Sequence, residues 1–155
     1  MNAAKKACRD AMIDVFAFPH VPYWFTLRQV SEILKKSLAG DKSLCPAAVL
    51  VFDEKYNLLG HLDISEIMKR FQPLLSGQGS REDEKLKALA EIPASDMMIP
   101  ARFFVDPDDT VSKAATLMIE NNLSMVPVLE EKKKLVGIVR TAELFKELTT
   151  VFFSA

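Results

Sequence analysis

The sequence predicts an α+β fold made from two copies of one unit. Two stretches repeat the same order: a capped amphipathic helix, a short apolar strand, a charged turn, an apolar strand with an embedded glycine, and a second helix. Internal repetition restricts the possible folds strongly, and two copies in a short chain suggest pseudo-twofold symmetry. The 155 residues are 49% hydrophobic, which is enough to bury one good core.

The first helix of each copy begins at a threonine. Thr26 is placed to cap its helix with Gln29 three residues later, an arrangement typical of a capping box. Thr110 occupies the equivalent position in the second copy. Behind these caps the apolar residues recur at helical spacing, which predicts core-facing stripes made of Leu27, Val30, Ile33 and Leu34 in one copy and Val111, Ala114, Ala115 and Met118 in the other.

Short apolar runs follow each helix and predict buried strands. They cover residues 49–52 and 126–129, and each is followed by a second strand that contains Gly60 or Gly137. The first copy is longer between helix and strand, so an extra loop is expected within residues 38–45. Both second strands run into a final helix. The helix of the second copy has an apolar stripe, Leu144, Leu148, Val151 and Phe152, expected to form core or a dimer interface.

The chain divides at its change of composition. We expect the first repeat to cover residues 1–75 and the second to cover residues 94–155. Residues 76–93 then form a linker, in which a turn-rich stretch at 76–80 is followed by a short charged helix over 81–92.

Composition excludes several classes of function. The net charge of −1 provides no field that would attract nucleic acid or an anionic membrane. No apolar run reaches the length that spans a bilayer, so a cytoplasmic protein is expected. Cys8 and Cys45 are predicted to be reduced structural thiols, and His20 and His61 lack partners at metal-ligand spacing. We therefore expect no metal site and no catalytic residues.

The second copy resembles a cystathionine-β-synthase (CBS) domain. The resemblance rests on Asp96-Met-Met-Ile-Pro, Asp109-Thr-Val-Ser-Lys-Ala, Met125-Val-Pro-Val-Leu and Leu135-Val-Gly-Ile-Val. The first copy matches more weakly through Asp10-Ala-Met-Ile and Leu58-Leu-Gly-His-Leu. A tandem pair, or Bateman module, would have two β-α-β-β-α repeats whose small mixed sheets pack with helices. It would also bind small ligands in clefts between the repeats.

What the resemblance implies is regulation, not catalysis. Such modules commonly bind adenine nucleotides or related molecules, so AMP, ADP, ATP and S-adenosylmethionine are the candidate ligands. They often form dimers and act on another protein, so a homodimer and a separate, unidentified effector are the expected partners. The alternative is a scaffold of the same fold that dimerises or binds a partner without any ligand.

The family's binding signature, Gly-apolar-x-Ser/Thr-x-x-Asp, is altered in both copies. Asp63 and Arg140 replace the hydroxyl that would face a phosphate, and Glu66 and Glu143 replace the ribose-binding aspartate. A carboxylate 5 Å from a phosphate charge costs about 3 kcal/mol at an effective dielectric near 20. Arg140 would instead attract the phosphate.

The second cleft is therefore the expected nucleotide site. Its candidate residues are Met98, Ile99, Pro100, Val126, Pro127, Arg140, Thr141 and Glu143. The first cleft is the weaker candidate, with Met12, Ile13, Asp63, Ser65 and Glu66. A purely structural interpretation stays open: Asp63 and Glu66 have the spacing of an N-cap and its partner, and in the second copy the cap could move to Thr141.

Overall fold

The computed structural model describes residues 5–39, 47–75 and 82–154. Along the chain the elements are α1 (Cys8–Ala11), β1 (Ile13–Asp14), a 3-10 turn (Val15–Ala17), β2 (His20–Pro22), α2 (Leu27–Ala39), β3 (Ala48–Phe52), β4 (Leu58–Asp63), α3 (Ile64–Leu75), α4 (Glu82–Ala90), α5 (Ala94–Met97), β5 (Ile99–Pro100), α6 (Val111–Glu120), β6 (Met125–Glu130), β7 (Lys134–Arg140) and α7 (Thr141–Phe153). Helix and sheet are mixed, as the α+β prediction requires.

The chain forms two compact units. The first-repeat unit consists of Phe18–Pro100, and the second-repeat unit combines Met1–Ala17 with Ala101–Ala155. The second-repeat unit is thus assembled from both ends of the sequence. The predicted division into 1–75, 76–93 and 94–155 follows the repeats along the sequence. The compact units have other boundaries, because residues 1–17 pack with residues 101–155 and residues 76–100 pack with the first repeat.

The first-repeat unit contains a mixed four-stranded sheet in the order β2-β3-β4-β5. β2 runs parallel to β3, and the other pairs are antiparallel. The buried side chains of α2, α3 and α5 meet one face of this sheet in a single apolar cluster that includes Leu27, Val30, Val49, Leu62 and Ile67. This cluster is the core that the stripe on α2 predicts.

The second-repeat unit contains a three-stranded antiparallel sheet in the order β1-β7-β6. Val105 forms an isolated parallel bridge with Val128 of β6. This bridge corresponds to the parallel pairing of β2 with β3 in the first-repeat unit. The core of the second-repeat unit joins Val111, Ala114 and Met118 of α6 with Leu144 of α7 and with Cys8 of α1. Burial raises the pKa of the Cys8 thiol to about 11, so this cysteine stays protonated and packs as a small apolar side chain.

The predicted caps form on the first helix of each copy. The backbone N–H of Thr26 donates to Gln29 Oε1 over 2.9 Å, and the N–H of Gln29 donates back to Thr26 Oγ1 over 3.3 Å. In the second copy the N–H of Lys113 donates to Thr110 Oγ1 over 3.1 Å. Each bond satisfies a donor that a helix start would otherwise leave without a partner.

The leading segment of each repeat packs on the other repeat. Ile13 of β1 lies opposite Ile138 of β7, and Ile99 of β5 lies opposite His61 of β4. α1 and α5 are anchored alike: the N–H of Cys8 donates to the Asp109 carbonyl, and the N–H of Ala94 donates to the Phe25 carbonyl. The repeats have therefore exchanged their leading segments.

The embedded glycines allow this exchange. A Cβ at Gly137 would lie 2.5 Å from Met12 Sδ and 2.8 Å from the Ile13 carbonyl oxygen. A Cβ at Gly60 would overlap the Ile99 carbonyl oxygen and lie 3.1 Å from Met98 Sδ. Glycine is needed at both positions because the exchanged strand and its methionine come so close.

Several predictions fall on residues outside the described ranges. The predicted turn-rich stretch at 76–80, Cys45 and most of the predicted extra loop at 38–45 lie there, although Leu38 and Ala39 still belong to α2. The charged linker helix is present as α4, with Leu89 packed against the core.

Candidate functional site

The start of α7 is the predicted phosphate position of the second-repeat unit. β7 ends at Arg140, which is also the N-cap residue of α7. The Arg140 guanidinium holds the Glu143 carboxylate with two parallel bonds: Nε donates to Oε1 over 2.8 Å, and an Nη donates to Oε2 over 2.9 Å. Both side chains are about four-fifths buried. The two residues predicted to hold phosphate and ribose separately are therefore bound to each other.

The N-cap residue of α7 does not cap its helix. The Arg140 side chain makes no capping hydrogen bond to the backbone of the first turn. The alternative in which the cap moves to Thr141 is not observed: the N-cap position is Arg140, and the Thr141 hydroxyl donates to the carbonyl of Ser124, just before β6, over 3.1 Å. The Thr141 N–H donates to the same carbonyl over 3.0 Å. An anion at this helix start would meet backbone donors and the positive end of the helix dipole.

The equivalent helix start in the first-repeat unit is already occupied by a carboxylate. The N–H of Glu66 donates to Asp63 Oδ1 over 2.9 Å, so Asp63 caps α3 as the structural interpretation predicted. The Glu66 carboxylate does not complete a reciprocal capping box and instead accepts from Lys69 Nζ over 2.9 Å. Ser65 is exposed. A phosphate would have to displace the Asp63 carboxylate to reach these backbone donors.

His61 is a partly buried titratable group beside this helix start. It lies on β4 opposite Leu50 and Ile99, and Nε2 is buried without a hydrogen-bond partner among the described residues. Burial lowers the pKa of His61, and the nearby Asp63 and Glu66 carboxylates offset this only in part. The neutral imidazole is therefore favoured.

The candidate residues divide between the two units in an unexpected way. Strand pairing places Ile99 and Pro100 on the sheet of the first-repeat unit, whereas Val126, Pro127, Arg140, Thr141 and Glu143 belong to the second-repeat unit. For the first cleft the division is reversed. Met12 and Ile13 belong to the second-repeat unit, where β1 pairs with β7, whereas Asp63, Ser65 and Glu66 belong to the first-repeat unit. Each predicted cleft thus takes residues from both units, and its composition stays a prediction.

Strand alternation separates the candidates further. Val126 is fully buried in the apolar core, whereas its neighbour Pro127 is half-buried. The side chain of Val126 is therefore committed to packing, and only its backbone is available to a ligand. On β7, Val139 likewise packs into the core while Arg140 follows it on the opposite face.

Two features were not predicted from the sequence. The first is the Arg140–Glu143 pair, although opposite charges three residues apart at a helix start are a signal for it. The second is the close approach of Met12 and Met98 to the glycines of the opposite repeat. No local pattern announces that contact, because it depends on strands far apart in sequence.

The described residues contain neither a metal-binding cluster nor a membrane-spanning helix. No group of three or more His, Cys, Asp or Glu side chains in the described ranges is arranged to hold a metal ion. No helix within the described part of the chain has both the length and the apolar character needed to cross a membrane.

Comparison with known sequences identifies one copy directly. Residues 94–150 match the CBS domain family. An uncharacterized protein of Methanocaldococcus jannaschii is 34% identical over 65 residues, which cover 42% of this chain and 39% of the relative. The chain thus matches about two fifths of the length of that curated relative.

Comparison with solved structures covers nearly the whole chain. CBSX2 in complex with AMP has a TM-score of 0.67 at 18% identity, with 90% of this chain and 93% of that chain covered. A CBS domain-containing protein of unknown function from Bacillus anthracis has a TM-score of 0.69 at 20% identity, with 93% of both chains covered. The cytosolic domain of the Mg2+ channel MgtE in complex with ATP has a TM-score of 0.59 at 20% identity, covering 84% of this chain and 44% of that one.

These likenesses confirm the predicted architecture, because they extend over both repeats and include proteins with paired CBS domains. The chain carries a CBS domain over residues 94–150 and has the fold of a tandem CBS-domain module.

Proposed function

We propose that this protein is a regulatory module that binds an adenine nucleotide or a related small ligand and acts on a separate effector protein. The AMP complex of CBSX2 and the ATP complex of the MgtE cytosolic domain support an adenine nucleotide as the ligand class. Within this chain the proposal rests on binding groups, and it assigns no catalytic residue.

The observation that carries the proposal is the difference between the two helix starts. α3 is capped by Asp63, whereas Arg140, the N-cap residue of α7, does not cap its helix with its side chain. The phosphate of the ligand binds at the start of α7, where backbone N–H groups and the guanidinium favour an anion. The equivalent site on α3 is closed by like charge.

Binding requires Arg140 to be shared with the ligand. Glu143 neutralises the guanidinium in the described state, so a phosphate has to compete with two charge-assisted hydrogen bonds. A modest affinity is the expected result. Removing the charge of Glu143 should strengthen phosphate binding if Arg140 is the anion-binding group.

Calorimetric titration with AMP, ADP, ATP and S-adenosylmethionine tests this proposal. Arg140→Ala should weaken binding at least several-fold, and Glu143→Gln should strengthen it. Asp63→Ser is the matched control at the equivalent position, and it should leave the α7 site unchanged. Equal affinity of Arg140→Ala and the parent protein would exclude phosphate binding at this helix start.

A ligand-free scaffold is the second candidate, and the Arg140–Glu143 pair itself favours it. The pair satisfies both charges internally, and neither copy keeps the hydroxyl that ligand-binding relatives carry. This candidate predicts that none of the four ligands raises the melting temperature. A saturable increase with any one of them would exclude it.

A further inference from the structure

The linker helix borders a cavity in the first-repeat unit. α4 packs beside α2 and α3, and its Leu89 joins the core of that unit. The space left between the three helices has a volume of about 380 Å³, which is within the range of small-molecule sites. Its apolar walls are formed by Leu27 of α2, Phe71 of α3, and Leu86, Leu89 and Ala90 of α4. A ligand in this cavity would contact all three helices.

The charged residues that line the cavity are mainly cations. They are Arg28 and Glu32 of α2 and Lys87 of α4, and all three are exposed. Glu32 already faces another cation, because Lys35 Nζ lies 3.9 Å from its carboxylate. Arg28 and Lys87 make no ion pair with any side chain that the structure describes. The apolar cavity therefore opens beside two cations that are available to an anionic group.

Ser31 adds a hydrogen-bonding group to the lining. Its hydroxyl oxygen is buried and has no hydrogen-bond partner among the described residues. Buried hydroxyl groups in folded proteins are nearly always paired. Ser31 follows Arg28 by three residues, so the two lie on the same face of α2, and an acceptor between them can bond to both.

We propose that this cavity binds an apolar carboxylic acid, such as a medium-chain fatty acid, as a second ligand of the protein. The hydrocarbon part lies among the leucines and Phe71, because burial of apolar surface favours it there. The carboxylate lies at the exposed side, where Arg28 and Lys87 attract it and the Ser31 hydroxyl donates to it. The bound acid joins α4 to α2 and α3, so it holds the linker helix in place.

Calorimetric titration of the full chain with octanoate tests the charged part of the proposal, with octanol as the uncharged comparison. One octanoate per chain should bind with a dissociation constant on the order of 0.1 mM. Arg28→Gln and Lys87→Gln should each weaken octanoate binding several-fold and leave octanol binding within about twofold of the parent protein. Lys36→Gln is the matched control, because Lys36 is an exposed cation of α2 that does not line the cavity, and it should change neither affinity.

Filling the cavity tests the apolar part. Ser31→Phe places an aromatic ring there and should abolish saturable binding of octanoate and octanol, with circular dichroism to verify folding. Leu86→Trp, at a half-exposed position of the wall, replaces it if that variant does not fold.

Four outcomes would each overturn the proposal. They are a parent protein that does not bind octanoate saturably, a folded cavity-filling variant that binds it as tightly as the parent, charge variants that lose octanol and octanoate equally or lose neither, and an equal loss in Lys36→Gln. Octanoate carries neither phosphate nor nucleobase, and the cavity belongs to the first-repeat unit. The result therefore does not depend on nucleotide binding at α7.

Discussion

At the scale of single residues, the two helix starts show how one substitution changes a site. Asp63 and Arg140 stand at the same place in the two repeats, yet one satisfies backbone donors and the other pairs with a carboxylate. The sequence predicts the capping role of Asp63 because the residue type and its spacing are sufficient. It does not predict that Arg140 and Glu143 bind each other, since either could equally have faced a ligand.

His61 should make the protein less stable in mild acid. Because burial lowers its pKa in the folded state, the unfolded chain binds the proton more readily. The stabilising effect of the neutral imidazole is fully present above the unfolded pKa of about 6.5 and is lost as the pH falls below it. Chemical denaturation between about pH 7 and pH 5 measures this loss.

The variants separate His61 from other groups that titrate in acid. In His61→Leu the decrease in unfolding free energy over that range should become smaller, whereas His20→Gln keeps His61 and should keep the effect. An unchanged pH dependence in His61→Leu would show that other groups cause the loss.

The glycines should be intolerant of even one methyl group. Gly60→Ala places a Cβ against the backbone of Ile99, which cannot rotate away, so we expect a destabilisation of about 1–3 kcal/mol. Gly137→Ala meets the flexible Met12 side chain as well as a carbonyl oxygen at 2.8 Å and should cost less. Urea denaturation compares the two variants. A neutral Gly60→Ala would mean that β5 can move without cost.

At the scale of elements, caps decide where the helices begin. Asp63→Ala removes the acceptor for the Glu66 N–H and should cost about 1 kcal/mol, whereas Asp63→Asn keeps a side-chain acceptor and should cost less. Thermal denaturation measures both variants. If Asp63→Ala and Asp63→Asn melt alike, the cap contributes little to stability.

The elements themselves were largely predictable, whereas their partners were not. The apolar stripe of α2 and the run at residues 49–52 give helix and strand directly, because burial imposes a period of 3.6 or a continuous apolar run. β1 and β5 have two residues each, too few for a period to be recognised. Their pairing with β7 and β4 depends on contacts distant in sequence, so the exchange of leading segments was missed.

At the scale of the whole molecule, the second repeat should not fold alone. A fragment of residues 94–155 lacks β1 and the buried Cys8 and Ala11, which complete the sheet and core of its unit. We expect it to show no cooperative unfolding. The matched control joins residues 101–155 through a Gly/Ser linker to residues 1–17, and it should recover a cooperative transition. Cooperative unfolding of the 94–155 fragment would contradict the compact units described above.

The exchanged segments also determine the order in which the chain can fold during synthesis. Residues 18–100 contain every strand of the first-repeat sheet, so that unit can close while the rest of the chain is still being made. β1 is translated before this unit and has no sheet partner until β7 leaves the ribosome more than a hundred residues later. During that interval Cys8, Ala11 and Ile13 remain without their native cover. A chaperone that binds short apolar segments would therefore meet the stretch around β1 for longer than any other strand in the described part of the chain.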